Sequence, residues 1–170
     1  MASIIFKFCP YCGKKYDLTT QAIIHPICKK CKRIFYQNSK PTVSAIITDQ
    51  DRVLLGRRIV EPAKGLWDIP GGFCEPGEHP EETLRREVHE ETNLTIKKME
   101  FLGIFMDEYG DDLIPTMNLC YIIHATGDLK PGDDLLELRW FSRDSLPRDL
   151  AFANGRAMLA AWKKHGHQCI

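Results

Sequence analysis

The fold is decided by Gly72-Phe73-Cys74-Glu75-Pro76-Gly77-Glu78-His79-Pro80-Glu81-Glu82-Thr83-Leu84-Arg85-Arg86-Glu87-Val88-His89-Glu90-Glu91-Thr92-Asn93-Leu94. Its first part is a Pro- and Gly-rich loop, and the rest predicts a helix from Pro80 to Glu91. Pro80 suits the first helical position, and Glu81 and Glu82 suit the positive end of the dipole. His79 is left as a weak N-cap. Asn93 falls where a left-handed residue closes the helix. Leu84 and Val88 form a stripe that can pack on a sheet. Glu87, Glu90 and Glu91 fall on one face, because i, i+3 and i+4 are neighbours. Three carboxylates that close repel one another, which makes sense if a hard divalent cation sits there, bridges phosphate oxygens and polarises a water. A solvated acidic face of a surface helix is the competing reading. Arg86 can pair back to Glu78 and hold the loop against the helix.

Outward from this stretch, Thr42 to Thr48 and Arg52 to Arg58 read as strands joined by a turn at Asp49-Gln50-Asp51. Strand-like stretches follow at Glu100 to Met106, Thr116 to Ala125 and Glu137 to Phe141, with an acidic loop over 105–115. Leu150 to Lys164 reads as a closing helix with Leu150, Met158, Leu159 and Trp162 as its apolar stripe. The irregular alternation predicts an α/β fold with a mixed sheet.

The N-terminal segment differs in kind. Residues 1–40 carry eight Lys or Arg and one acid, although the whole chain has 23 basic and 23 acidic residues. That shift predicts a module boundary at Lys40-Pro41, dividing the chain into 1–40 and 41–170. Cys9-x2-Cys12 and Cys28-x2-Cys31 have the spacing of a structural four-cysteine zinc site. A redox pair or two disulfides are the alternatives. Pro10 and Gly13 suit the first turn, and Lys32 stands where the second might have had Gly. His25 is read as a loop residue. Cys120, in an apolar run, reads as a small core residue, Cys74 has no catalytic companion, and Cys169 lies in the tail.

The chain of 170 residues has no apolar run long enough to span a membrane and no signal peptide, which predicts a cytoplasmic protein. Balanced charge gives no support to a global nucleic-acid-binding surface.

Gly72, Glu78, Arg86, Glu87, Val88, Glu90, Glu91 and Leu94 match the motif G-x5-E-x7-R-E-U-x-E-E-x-G-U, where U is apolar. The chain therefore resembles the Nudix hydrolases. The one departure is Asn93, where the family usually has Gly; Asn tolerates the same cap, so Asn93→Gly is expected to be neutral or slightly stabilising. Leu66-Trp67-Asp68-Ile69-Pro70-Gly71-Gly72 and Leu138-Arg139-Trp140-Phe141-Ser142 with Leu146-Pro147 extend the resemblance. A four-cysteine ribbon ahead of such a domain is similar to a subgroup that includes NADH, FAD and ADP-ribose pyrophosphatases.

The resemblance implies a Nudix-like α/β/α sandwich behind a small zinc ribbon. It implies hydrolysis of a nucleoside diphosphate linked to another moiety. Glu87, Glu90 and Glu91, with the Gly72 carbonyl, would ligate Mg2+ or Mn2+, and Arg86 and Glu78 would form the structural pair behind them. Arg57 and Arg58 are candidates for substrate phosphates, against two ordinary surface arginines. The general base is Glu87 or a later carboxylate among Glu108, Asp111, Asp112 and Glu137, with Glu137 preferred; a plain strand-edge acid is the alternative there. Trp67, Phe105 and Tyr109 are candidates to stack a base, against ordinary packing.

The Ser-Gln-Pro-Trp-Pro-Phe-Pro stretch of NADH pyrophosphatases is absent from 103–115. The acids of 105–115 are expected to disfavour a polyanionic leaving moiety. The expected partner is a nucleotide derivative such as ADP-ribose, FAD or a related dinucleotide. Two other readings stay open: a triphosphate pyrophosphohydrolase, and a regulator that senses a nucleotide and grips nucleic acid with its ribbon. A third makes the ribbon a docking or dimerising lid, which would give a homodimer.

Overall fold

The computed structural model describes residues 6–16 and 25–165. Cys169 lies outside the described residues. β1 (Lys40–Asp49) and β2 (Arg52–Arg58) form a hairpin around Gln50, whose φ is 55°. β3 (Trp67–Asp68), β4 (Gly71–Phe73) and α1 (Pro80–Thr92) follow, then β5 (Thr95–Tyr109), β6 (Ile114–Thr126), β7 (Leu135–Ser142) and α2 (Ala153–Lys164). The main path of the sheet runs β3-β2-β1-β6-β5, with β4 on β1 and β7 on β2. β1 pairs parallel with β6, and the other pairings are antiparallel, so the sheet is mixed.

β1 and β2 pair only at their hairpin end, Thr48 with Val53 and Asp49 with Arg52. Beyond it β1 turns to β4 and β2 to β3 and β7. The gap between the two diverging strands is where the Gly-rich segment enters.

Alternation along the strands builds a core on each face. Val43, Ala45 and Ile47 of β1 pack with Leu84 and Val88 of α1. Ile46, with Val53, Leu55 and Ile122, packs against Met158, Leu159 and Trp162 of α2. This is the α/β/α sandwich. The helix stripe of Leu84 and Val88 is fully buried, as its spacing predicts.

Three elements depart from the sequence reading. The stretch 105–115 is no loop: β5 runs to Tyr109, β6 starts at Ile114, and only a tight turn separates them. Its acids do not break the strand: Glu108 is exposed, Asp107 accepts the Asn154 amide, and Asp111 and Asp112 lie in the turn itself. α2 begins at Ala153, after an N-cap at Phe152 that offers no side-chain hydrogen bond. Leu150 lies outside the helix and pairs instead with Trp67 in a parallel bridge. His79 is a better cap than its type suggests. Its Nδ1 accepts the Glu81 amide at 3.3 Å while its own amide donates to Glu82 at 3.0 Å, a reciprocal box.

Candidate active site and cysteine cluster

The two cysteine turns repeat one design. Cys9 N–H donates to the Lys14 carbonyl at 2.8 Å and Cys28 N–H to that of Arg33 at 2.9 Å. Gly13 and Lys32 each return an amide to the first cysteine of their pair. Both are left-handed, with φ of 69° and 60°. Lys32 therefore occupies a glycine-type position, as the comparison of the two turns predicts. The four sulfurs lie within 4.8 Å of one another. Cys9 Sγ is 3.7 Å from Cys31 Sγ, and Cys12 Sγ is 3.5 Å from Cys28 Sγ. A tetrahedron with metal–sulfur bonds of about 2.3 Å has edges of about 3.8 Å, so the cluster fits a zinc ion and no disulfide. The Cys31 amide points at Cys28 Sγ and pulls that thiol down, against the opposing effect of burial. His25 stays outside the cluster, with Nδ1 accepting the Gln37 amide.

The carboxylate helix is fixed to the Gly-rich segment by Glu78 and Arg86. Arg86 Nε and Nη2 grip the two Glu78 oxygens at 3.0 and 3.1 Å, a bidentate pair. Glu78 also accepts from Thr83 Oγ1 at 2.7 Å and from the Glu75 amide at 3.2 Å. The Arg86 guanidinium, with these further donors, holds the Glu78 carboxyl down at about 2. The expected structural pair is thus present.

The three metal-candidate carboxylates share a cleft with Gly132, Asp133 and Asp134. Their oxygens do not meet at one point: among the described residues, the only potential ligand atoms that converge so closely are the four sulfurs. Arg86 Nη1 stands between Glu87 at 2.8 Å and the exposed Glu90 at 3.1 Å. Glu91 turns the other way and accepts the Gly71 amide at 2.8 Å. Burial pushes the Glu87 carboxyl up and the Glu91 carboxyl up to about 8, so both favour a positive neighbour. Gly72 completes the cradle, since a Cβ there would lie 2.3 Å from Glu87 Oε1. A half-buried anionic helix face against a side-chain-free backbone turn fits a hard divalent cation.

A cleft of about 470 Å3 runs past Arg58, Gly72, Glu87, Glu91 and Asp134. That lies within the roughly 300–1,000 Å3 of small-molecule sites. A second pocket opens from the same Gly71-Gly72-Phe73 edge, and Arg58 and Tyr109 line both. Arg58 is anchored, with Nη1 on Asp68 at 3.1 Å and Nε on the Pro62 carbonyl at 2.9 Å. Burial pushes Asp68 up to about 6, although Arg58 opposes it.

Other sequence candidates fall elsewhere. Glu137 lies between Arg57 at 3.4 Å and Arg139 at 2.8 Å and lines none of these clefts. Arg57 donates Nε to the Gly65 carbonyl and lines none of them either. Trp67 is 5% exposed and packs edge-on against Phe141 in the core, under Arg57 and Arg139. Phe105 also packs against that core. Tyr109 does reach the pocket, between Phe73 and Phe152. Asp111 and Asp112 sit in the exposed hairpin turn. Cys120 is a core residue, its thiol pushed up to about 12 by burial.

Two contributors have no sequence signal of their own. Asp133 and Asp134 reach the cleft because the segment 127–134 is tied to the end of α1. Gly132 N–H donates to the Glu91 carbonyl at 2.9 Å, Lys130 N–H to that of Thr92 at 3.1 Å, and Asn93 Nδ2 to that of Asp128 at 2.8 Å. A Cβ on Gly132 would lie 2.3 Å from the Glu90 carbonyl oxygen, so only glycine permits this approach.

The chain belongs to the Nudix family: the family model described as the NUDIX domain matches residues 38–162. It is 36% identical over 118 residues to the ADP-ribose pyrophosphatase of Methanocaldococcus jannaschii, covering 69% of each chain. It is 28% identical to the NAD-capped RNA hydrolase NudC of Vibrio vulnificus, over 83% of this chain and 52% of that protein. It is also 34% identical to the mitochondrial NAD(P)H pyrophosphatase NUDT13 of Mus musculus, over 80% of this chain. The chain spans 39% of that mouse protein and about half of the Vibrio one. Among solved structures, a NUDIX hydrolase from Nitrosomonas europaea superposes with a TM-score of 0.69 at 29% identity, covering 94% of this chain and 90% of that one. The chain is thus a Nudix pyrophosphohydrolase, with a cysteine cluster that supports a zinc ribbon. Among the described residues no helix is long and apolar enough to cross a membrane.

Proposed function

We propose that the protein hydrolyses the pyrophosphate of a nucleoside diphosphate linked to a second moiety, with ADP-ribose, FAD or a related adenine dinucleotide as substrate. The observation that carries this reading is the clamp of Arg86 on Glu78, which seats the half-buried carboxylates of Glu87 and Glu91 against the Gly71-Gly72 backbone. The similarity to an ADP-ribose pyrophosphatase and to two hydrolases of NAD compounds supports the substrate class.

In this reading Glu87, Glu90, Glu91 and the Gly72 carbonyl hold Mg2+ or Mn2+. Such an ion, when bound, neutralises phosphate charge and polarises the attacking water. Arg58, at the junction of the two clefts, faces the substrate phosphates; Arg57 buttresses β7 through Glu137. Glu87 takes the general-base role, since Glu137 lines neither cleft. The walls around Tyr109 hold the nucleoside. Residues 1–40 form a zinc ribbon with one structural zinc on Cys9, Cys12, Cys28 and Cys31, and residues 41–170 form the catalytic unit. The unpaired Cys74 and Cys120, and a four-cysteine cluster arranged for a metal, favour a reducing compartment such as the cytoplasm.

The test is a hydrolysis panel of ADP-ribose, FAD, NADH and the common triphosphates at one Mg2+ concentration, with products resolved by chromatography. A dinucleotide or ADP-ribose should give the highest kcat/KM. A triphosphate ahead of all of them by tenfold overturns the reading in favour of a nucleotide-pool hydrolase.

A further inference from the structure

β5 closes one side of the sheet. It pairs with β6 along its length, and among the described residues no backbone hydrogen bond joins it to anything else. Its outer backbone edge is therefore open. Proteins commonly guard such edges with short strands, charges or Pro, because an open edge invites a second chain. β5 has 15 residues and keeps its charged pairs for its two ends, Lys97 and Lys98 near the start and Asp107 and Glu108 near the finish. Glu100, the one charge between them, is taken by His165 Nε2 at 3.2 Å.

Between those ends the strand shows hydrocarbon to solvent. Phe101, Ile104 and Met106 are 50%, 55% and 60% exposed. Residues 101 and 104 are three apart and would lie on opposite faces of a regular strand. A bulge at Leu102 supplies one extra residue and restores the phase. Phe101 thus stands beside Tyr121, Ile104 beside Leu119 and Met106 beside Met117. Tyr121 belongs to the α1 core and Leu119 packs against it, so the three exposed side chains continue that core into solvent.

The charges choose what covers this stripe. Lys97, Lys98 and Glu108 are exposed. A second β5, laid antiparallel about a two-fold axis between residues 102 and 103, puts Lys98 opposite the partner's Asp107 and Lys97 opposite the partner's Glu108. The same alignment puts Phe101 opposite the partner's Ile104 and Met99 opposite the partner's Met106. Opposed residues of an antiparallel pair share a face. Met99, Phe101, Ile104 and Met106 share one only because Leu102 is extra, so the bulge makes this register possible. Bulge meets bulge at the axis, and the main-chain bonds fall on the two arms that flank it. A parallel alignment would set lysine against lysine.

We infer that β5 is a self-recognition edge, through which two copies of this chain join antiparallel about Leu102-Gly103, with an apolar centre and lysine–acid pairs at each end. Such an interface uses the same patch on both copies and closes at a dimer. Asp107 and Glu108 also line the pocket beside the Gly71-Gly72 edge, so the partner's Lys97 and the partner's Lys98 would offset the acidic rim of that pocket. Dimerisation through this edge is independent of which pyrophosphate is cleaved.

Light scattering on the full chain over a concentration series tests this. The wild type should have about twice the 19.5 kDa mass of one chain and should dissociate on dilution. Ile104→Asp should give a monomer with an unchanged circular dichroism spectrum. Lys97→Glu and Glu108→Lys should each raise the dimer dissociation constant by about tenfold or more, because each sets like charges across the interface twice. Mixed in equal amounts, these two variants should form a heterodimer of near wild-type affinity, since every reversed charge then meets its opposite. The double variant Lys97→Glu/Glu108→Lys should recover the homodimer for the same reason. If Ile104→Asp does not fold, the charge variants decide alone. A wild type that stays monomeric at its highest soluble concentration overturns the inference. A dimer that survives in folded Ile104→Asp, or in both single charge variants, overturns it in favour of the ribbon or another face. Two weakened charge variants that do not rescue each other overturn the register.

Discussion

Gly72 and Glu87 stand so close that a single added carbon on the glycine would fall 2.3 Å from the glutamate's Oε1. The contact joins the end of the Gly-rich segment to the middle of the carboxylate helix: the glycine side is backbone and cannot rotate away, so a side chain there would force the Glu87 carboxylate itself to shift. Gly72→Ala should lower kcat/KM by about a hundredfold, the cost of a displacement of an ångström or so at a reacting centre. Steady-state kinetics on the purified variant, with circular dichroism to confirm the fold, checks this. Activity within threefold of wild type would show that Glu87 can move without consequence.

Glu90 and Glu91 should separate charge from shape. Glu90→Gln and Glu91→Gln should each reduce activity at saturating Mg2+ by about a hundredfold or more, since a charged ligand is lost. In EDTA the Glu91→Gln protein should melt no lower than wild type, because a buried carboxylate has been replaced by a neutral amide. Paired kinetic and melting measurements check both halves. Undiminished activity of Glu90→Gln would refute its role at the metal.

The Glu78 carboxyl makes a pH prediction. Its folded value, about 2, lies below the ordinary 4.5, so its contribution is fully present above 4.5 and is lost as pH falls towards 2. Urea denaturation of wild type and Glu78→Gln between pH 6 and pH 2.5 should show wild type more stable at the top of this range and the gap closing at the bottom. A gap that does not change with pH would remove the ion pair as its cause.

Asn93 reverses an expectation. Its φ of 59° is the left-handed cap its position implies, which alone would make glycine equal or better. The side chain, however, holds the Asp128 carbonyl and with it the segment that brings Asp133 and Asp134 to the cleft. Asn93→Gly should therefore cost about 0.5–1.5 kcal/mol, and Asn93→Ala about 1 kcal/mol more for the backbone strain. Denaturant midpoints of the two variants check the order; glycine equal to wild type would show that the bond contributes nothing.

Zinc is expected at one ion per chain. Elemental analysis should find it, and changing any one of Cys9, Cys12, Cys28 or Cys31 to Ser should release it. Zinc-free protein with four titratable thiols in the ribbon would overturn the assignment. Lys32→Gly should stabilise the holo ribbon by about 0.5–1 kcal/mol, since a left-handed lysine is replaced by the residue suited to it.

What could be read in the sequence was whatever depends on local spacing. The limits of α1, its cap at Asn93, the pairing of Arg86 with Glu78 and the two cysteine turns all follow from residues a few positions apart. What could not be read depends on which strand lies beside which. The acids of 105–115 look like a loop until β5 and β6 are seen to pair across them. Trp67 has the chemistry of a stacking residue and the position of a core one, and only burial separates the two. Asp133 and Asp134 reach the carboxylates through Gly132, whose role needs a neighbour more than forty residues away. Asn118 and Thr42 are ordinary strand residues in sequence and line one pocket only through the parallel register.

That register has an evolutionary side. β1 gives its odd positions to the α1 core and its even ones to the α2 core and the pocket floor. A slip of one residue would push Ser44 among Leu84 and Val88 and put Val43 in the place of Ser44 on the pocket floor, so the same error would disturb the core and the pocket together. Exchanges of side chains at Thr42, Ser44, Thr116 and Asn118 would reshape that pocket without touching the register, whereas an insertion or deletion in the strand would disturb both cores. Relatives with other substrates should differ here by substitution at constant length, while length variation collects in the connections between strands.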